Sequence, residues 1–276
     1  MSGAGLNMTE IQQRYWVTLT GENSTKGLYI ALLLLVLFVN RAIADDELPE
    51  LQIRQLTDNV YLHTSFQTVT GFGVVDSNGL VVTVGNDAYI IDTPWSKRDT
   101  QNLLAWIEQR GFIPRGSVST HFHDDRTAGI SLLNSKAIPT YASRLTNELL
   151  EKAGKPQAAH TIASDDFWLL KDEIQVFFPG AGHAPDNVVV WLPTPKILFG
   201  GCLVRPAETT NLGNTNDAVM DEWAASIGNL QSRYGNAALV VPGHGKVGDV
   251  SMLEHTRALA AASMSAKNPA PAESAQ

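Results

Sequence analysis

Short apolar runs rich in Val, Ile and Tyr dominate the chain just after residue 50. Leu51–Leu56, Val60–Phe66, Gly73–Val75, Leu80–Val84 and Ala88–Ile91 read as strands. Asn78-Gly79 and Gly85-Asn86 punctuate them as turns. The period then lengthens. Leu103, Leu104 and Ile107 stand at helical spacing behind Asp99, a candidate N-cap, which predicts a helix over 99–110. Ser143–Lys152 carries Leu145, Leu149 and Leu150 on one helical face. In Asp217–Arg233, Val219, Trp223, Ile227 and Leu230 make the clearest helical stripe. A last helix runs from Val250 to Ala262 and contains His255, and the closing AKNPAPAESAQ, residues 266–276, has no apolar face and reads as a flexible tail.

Strands alternating with helices predict an α/β architecture. Four further apolar runs each lead into a residue that can bind metal. Ser117–Thr120 precedes His121, and Ile174–Phe178 comes shortly before His183. Ile197–Phe199 precedes Cys202, and Ala238–Val241 precedes His244. Glycines fill the gaps and permit close backbone approach. Strand ends that deliver side chains to one edge are where α/β proteins build sites.

Residues Leu28–Val39 form twelve apolar residues in a row, with Lys26 before them and Ala42-Ile43-Ala44 after. This is the layout of a secretory signal cleaved after Ala44. It is short for a spanning helix, which needs about 20 apolar residues. The chain therefore divides into an N-terminal extension with signal, 1–44, one domain over 45–265, and the tail. The expected location is the periplasm, as a monomer without a stable membrane anchor. Removing 1–44 leaves 17 positive and 26 negative side chains, and that acidic balance gives no footprint for nucleic acid. With 44% hydrophobic residues the chain can fill a core. Its one cysteine, Cys202, excludes a disulfide framework, and an unpaired thiol in an oxidising compartment calls for burial or a metal.

The segment HFHDDR, 121–126, is the densest chemistry in the chain. His121 and His123 can turn to one ion while Asp125 reaches a neighbouring one. Three neutral imidazoles leave a dication at full charge with a fourth position for water. One carboxylate, one thiolate and one imidazole neutralise a second, and the thiolate selects zinc over magnesium or calcium. His63, His160 and His255 have no neighbouring ligands and read as ordinary.

Taken together, HFHDDR, GAGHAPDN with VVVWLP, KILFGGC and VVPGHGKVGD resemble the metallo-β-lactamases of class B, over about residues 50–256. The resemblance implies a four-layer αβ/βα sandwich, two β-sheets face to face with helices outside. It implies two zinc ions per chain, the first on His121, His123 and His183 and the second on Asp125, Cys202 and His244. It implies hydrolysis of the β-lactam amide of penicillins, cephalosporins and carbapenems by a metal-bound hydroxide, with Asp125 orienting the nucleophile. Arg205 matches a residue that pairs with the antibiotic's carboxylate, and Asn211 one that assists its carbonyl oxygen. Phe66, Val69 and Phe72 match the hairpin that covers the substrate, and Asp92 supports the ligand loop. Ala184 stands where many relatives carry threonine.

Two other readings compete. A thioesterase or lactonase of the same superfamily usually has a second histidine where this chain has Arg126, and a bridging aspartate where it has Cys202. A non-catalytic zinc protein closes each ion with four protein ligands, whereas six ligands for two ions leave open positions. A serine β-lactamase is not supported, since the chain has no Ser-x-x-Lys.

Overall fold

The computed structural model describes residues 48–267. The signal and extension expected over 1–44 lie outside the described residues, as does all of the tail beyond Lys267. The first half of the domain contributes strands β1 (Gln52–Thr57), β2 (Val60–Val69), β3 (Gly73–Val84), β4 (Asp87–Ile91), β5 (Ile113–Ser119), β6 (Thr140–Ser143) and β7 (His160–Ile162). They form one sheet in sequence order, antiparallel from β1 to β4 and parallel from β4 to β7. The second half contributes β8 (Asp166–Leu170), β9 (Ile174–Phe177), β10 (Val189–Leu192), β11 (Ile197–Gly201) and β12 (Leu239–Pro242), in the order β12-β11-β10-β9-β8. Helices α1 (Lys97–Gln109), α2 (Asp124–Thr127), α3 (Ile130–Ser135) and α4 (Arg144–Lys152) belong to the first half, and α5 (Met220–Tyr234) and α6 (Ser251–Lys267) to the second.

Side-chain alternation along the strands explains the layering. Val60, Leu62, Leu80, Val82 and Ile91 of the first sheet pack against Val176, Val190, Ile197, Phe199 and Val241 of the second. Their neighbours on the opposite faces, Tyr61, Val81 and Ile90, meet Leu103, Leu104 and Ile107 of α1. On the far side Val189, Trp191, Leu198 and Val240 meet Trp223, Ile227 and Leu230 of α5 and Met252 and Leu253 of α6. Both faces of each sheet are thus covered, which is why the central strands read as continuous apolar runs. The result is the expected αβ/βα sandwich.

Three local expectations are corrected. Asn78-Gly79 is not a turn but lies inside the twelve-residue β3. The Asn78 amide donates to the carbonyls of Pro242 and Gly245. A Cβ on Gly79 would fall 2.3 Å from the buried His63 ring, so glycine here serves close packing. The N-cap of α1 is Ser96, whose hydroxyl accepts from the Asp99 amide, and Asp99 is buried in the first turn. Helix α6 extends to Lys267, two residues into the expected tail. By contrast Gly85, at φ +59°, does turn the chain between β3 and β4.

Candidate metal centre

The ends of four strands converge. β5 stops at Ser119 and the next residues carry His121, His123 and Asp125; β9 leads to His183, β11 to Cys202 and β12 to His244. His121 Nε2 lies 3.0 Å from His123 Nδ1, and His183 Nε2 lies 3.2 Å from the same atom. Nitrogens bound to one tetrahedral zinc at about 2.0–2.1 Å stand roughly 3.3 Å apart, so these three nitrogens fit one ion. Cys202 Sγ lies 3.5 Å from Asp125 Oδ2 and 3.2 Å from His244 Nε2, and that nitrogen lies 3.4 Å from the same carboxylate oxygen. This second trio has the carboxylate–thiolate–imidazole chemistry that suits zinc. Donor atoms of His121, Asp125 and Cys202 also fall within 4.8 Å of one another, so the two groups adjoin.

Each imidazole is aimed by its other nitrogen, with one exception. His123 Nε2 is 2.9 Å from Asp217 Oδ2, His121 Nδ1 is 3.4 Å from Thr120 Oγ1, and His244 Nδ1 bonds the Asp76 carbonyl. Partners of this kind fix ring orientation and tautomer. Among the described residues His183 Nδ1 is buried without a hydrogen-bond partner, and the apolar Ala184 follows it. Burial, then the neighbouring His123, holds His183 down to about 3, and burial with the His183 and His123 charges lowers His121 strongly. Both rings are therefore neutral, the form that binds metal. Burial pulls His244 down as well, but Cys202 and the Asp125 bond override it and push it up to about 10. Without metal His244 is thus a cation beside the Asp125 carboxylate, and an incoming dication displaces its proton.

A cation that sequence reasoning used only to separate families sits at the heart of the site. The Arg126 guanidinium is wholly buried. Its Nη2 lies 3.0 Å from Cys202 Sγ, 2.7 Å from Asp125 Oδ2 and 2.9 Å from the Gly243 carbonyl. Its Nη1 donates to the Asn78 carbonyl and lies 3.3 Å from Asp92 Oδ2. Burial works to raise Asp125, but Arg126 first, then His244, hold its carboxyl well below the ordinary range. The buried charges of the site therefore include a fixed positive one that ligand counting alone omits. Gly243 is required beside it, because a Cβ there would fall 2.6 Å from Cys202 Sγ and 2.7 Å from Arg126 Nη2.

Asp92 lies at the base of the ligand loop. It is fully buried at φ +57°, and it accepts from the Thr120 amide at 2.7 Å and the Thr120 hydroxyl at 2.8 Å. Burial raises its carboxyl to about 7 against the opposing pull of Arg126 and Thr120.

A cavity of about 510 Å³ opens over the two donor groups. Val69, Phe72, Arg205 and Asn211 line it, and so do Trp95, Lys155 and Asp217, which carried no site assignment in the sequence. The Trp95 ring stands 6.0 Å from His244, and the signal for it was present in IIDTPW, three residues after Asp92. Phe66 is absent from the lining. It lies three residues from Val69 on β2, and an odd spacing on a strand places the two on opposite faces. Phe72 is 58% exposed at the tip of the β2–β3 hairpin, free to contact a ligand. Arg205 is tied down through its amide, 2.8 Å from Thr256 Oγ1, and its Nε, 3.3 Å from the Asn211 carbonyl. Asn211 Oδ1 accepts from the Gly213 amide, which leaves its Nδ2 as the donor facing solvent.

The family model of the metallo-beta-lactamase superfamily matches residues 72–244, the span that holds all six donors. The chain belongs to that superfamily. It is 50% identical over 219 residues to a metallo-beta-lactamase type 2 of Pseudomonas aeruginosa, covering 79% of this chain and 88% of the relative. A metallo-beta-lactamase type 2 of Bacillus cereus is 39% identical, over 79% of this chain and 86% of its own length. Among solved structures, DIM-1 metallo-beta-lactamase exposed to ceftazidime superposes with a TM-score of 0.78 at 51% identity, over 79% of this chain and 99% of that one. FIM-1 of Pseudomonas aeruginosa, in its mono-zinc form, gives 0.74 at 33% identity, over 78% and 96%. Zinc is the family's metal, and the paired donor groups of this chain fit two such ions.

Proposed function

We propose that this chain is an exported zinc β-lactamase that opens the lactam ring of penicillins, cephalosporins and carbapenems. The observation that carries the reading is the meeting of Cys202 with Asp125 and His244 directly beside three converging imidazoles. His121, His123 and His183 would hold the first ion, and Asp125, Cys202 and His244 the second. When bound, the zinc pair polarises the lactam carbonyl and makes water nucleophilic at neutral pH.

The chain's own residues supply the rest. Asp125 keeps its negative charge and its fixed orientation through Arg126, so it can accept a hydrogen bond from the attacking water and aim it. The Arg205 terminal nitrogens, packed over Gly213, take the antibiotic's carboxylate bidentately. Asn211 Nδ2 donates to the carbonyl oxygen as charge develops there. Val69 and Phe72 close apolar surface over the bound drug. No side chain of the set is a covalent nucleophile.

The buried guanidinium also argues against the thioesterase and lactonase reading. A second metal-binding histidine has no place there, because Arg126 fills it and is bonded on both terminal nitrogens. Rates on a chromogenic cephalosporin and on a thioester test the assignment. Lactam opening should dominate; thioester turnover without lactam opening would reject it.

Arg205→Ala is expected to raise KM for carboxylate-bearing lactams by roughly tenfold to a hundredfold, the range of one charged hydrogen-bonded contact, with a smaller effect on kcat. Steady-state kinetics on one cephalosporin checks this, and an unchanged KM would remove Arg205 from the site. The signal layout around Leu28–Val39 supports export to the periplasm with cleavage after Ala44. No described helix is long and apolar enough to cross a membrane. We take the active form to be a monomer acting on a small-molecule substrate.

A further inference from the structure

The catalytic cavity carries two accessible cations, one from each half of the sandwich. Arg205 comes from the second half and takes the carboxylate common to the drugs. Lys155 comes from the first half and has no role in the chemistry above. Its backbone is fixed just past α4: Gly154, at φ +67°, turns the chain, and the Lys155 amide donates to the Leu150 carbonyl at 2.8 Å. Its ammonium lies 2.9 Å from Asp124 Oδ1, and Asp124 stands in sequence between the donors His123 and Asp125. The two side chains are 35% and 60% exposed, so water screens the pair and separating it costs little. A lysine on a flexible stem can therefore exchange this carboxylate for another.

We propose that Lys155 is a specificity-determining residue that receives a second anionic group on the acyl side chain of the substrate. Asp124 is its resting counter-ion. A lactam with only the ring carboxylate engages Arg205 and leaves the Lys155–Asp124 pair closed. A lactam with an additional carboxylate draws Lys155 away from Asp124. This inference rests on the lactamase reading.

Carbenicillin and benzylpenicillin make the test, since they differ by a single side-chain carboxylate. In Lys155→Gln the ratio of KM for carbenicillin to KM for benzylpenicillin should rise about 1.5-fold to fivefold over the unsubstituted enzyme, the range of one partly exposed charge pair. Lys155→Arg should keep the original ratio. High salt should shrink the difference between Lys155→Gln and the unsubstituted enzyme, because the contact is screened. A ratio unchanged in Lys155→Gln, or raised equally in Lys155→Arg, would overturn the proposal. Failure of the unsubstituted enzyme to open either penicillin would instead overturn the lactamase reading.

Discussion

Cys202→Ser is expected to empty the second metal position and leave the first in place. Cys202 Sγ is within 3.5 Å of both Asp125 and His244, whereas the nitrogens of His121, His123 and His183 are directed at one another. A serine hydroxyl stays protonated at neutral pH and offers a dication no charge. Loss of an outer hydrogen-bond partner alone costs about 10–100-fold in metal affinity, and loss of the thiolate should cost more. Metal analysis after dialysis should fall from two zinc ions per chain to one. In the unsubstituted enzyme a strong chelator should abolish lactam hydrolysis and added zinc should restore it. Equal loss of both ions in Cys202→Ser would contradict the division of ligands, and activity indifferent to chelator would refute zinc catalysis.

Arg126→Ala is expected to have the largest effect on stability. The guanidinium is wholly buried and contacts the carboxyls of Asp125 and Asp92, the Cys202 sulfur and the carbonyls of Asn78 and Gly243, and its removal leaves Asp125 and Cys202 facing each other without it. Breaking a buried ion pair from one side costs about 3–5 kcal/mol. In a domain of this size each kcal/mol moves Tm by about 2–4 °C, so a fall of roughly 6–20 °C follows. The loss should be greatest in metal-free protein, where only His244 remains to balance the Asp125 carboxylate, and smaller with zinc bound, because the ion supplies the missing positive charge. Thermal denaturation with and without chelator reads both. A small and equal loss under the two conditions would show that Arg126 is a spacer and not the counter-charge of the second trio.

Some of this was legible in the bare sequence because it depends on local rules. The strand runs, the amphipathic stripes of α1 and α5, and the glycine turn at Gly85 follow from period and turn chemistry, and each appears in the structure within a few residues. The helix of α4 also appears, but its expected Leu145–Leu149–Leu150 face does not: Thr146, Asn147 and Leu150 are buried and Leu145 is 38% exposed, because the packing of Asn147 on the Ala158 backbone decides which face turns inward. The ligand types were legible too, since each stands just past the end of an apolar run. The errors have a common cause. Asn78-Gly79 has turn composition, yet Asn78 is held by Pro242 and Gly245, more than 160 positions away in sequence, and Gly79 makes room for the His63 ring. Asp99 has the right type for a cap, but Ser96 reaches its amide.

The sequence by itself determined the class of fold and the stock of donors: four imidazoles, one carboxylate and one thiolate at strand ends, a set that suits zinc. It could do so because side-chain period and ligand type are properties of short segments. Only the tertiary structure decided which nitrogen of each imidazole faces the ion and what aims it, as Asp217 does for His123. It alone placed Arg126 against Cys202 and Gly243, and set Trp95 and Lys155 in the cavity wall. These are contacts between residues distant in the chain, and they are fixed by how the two sheets pack.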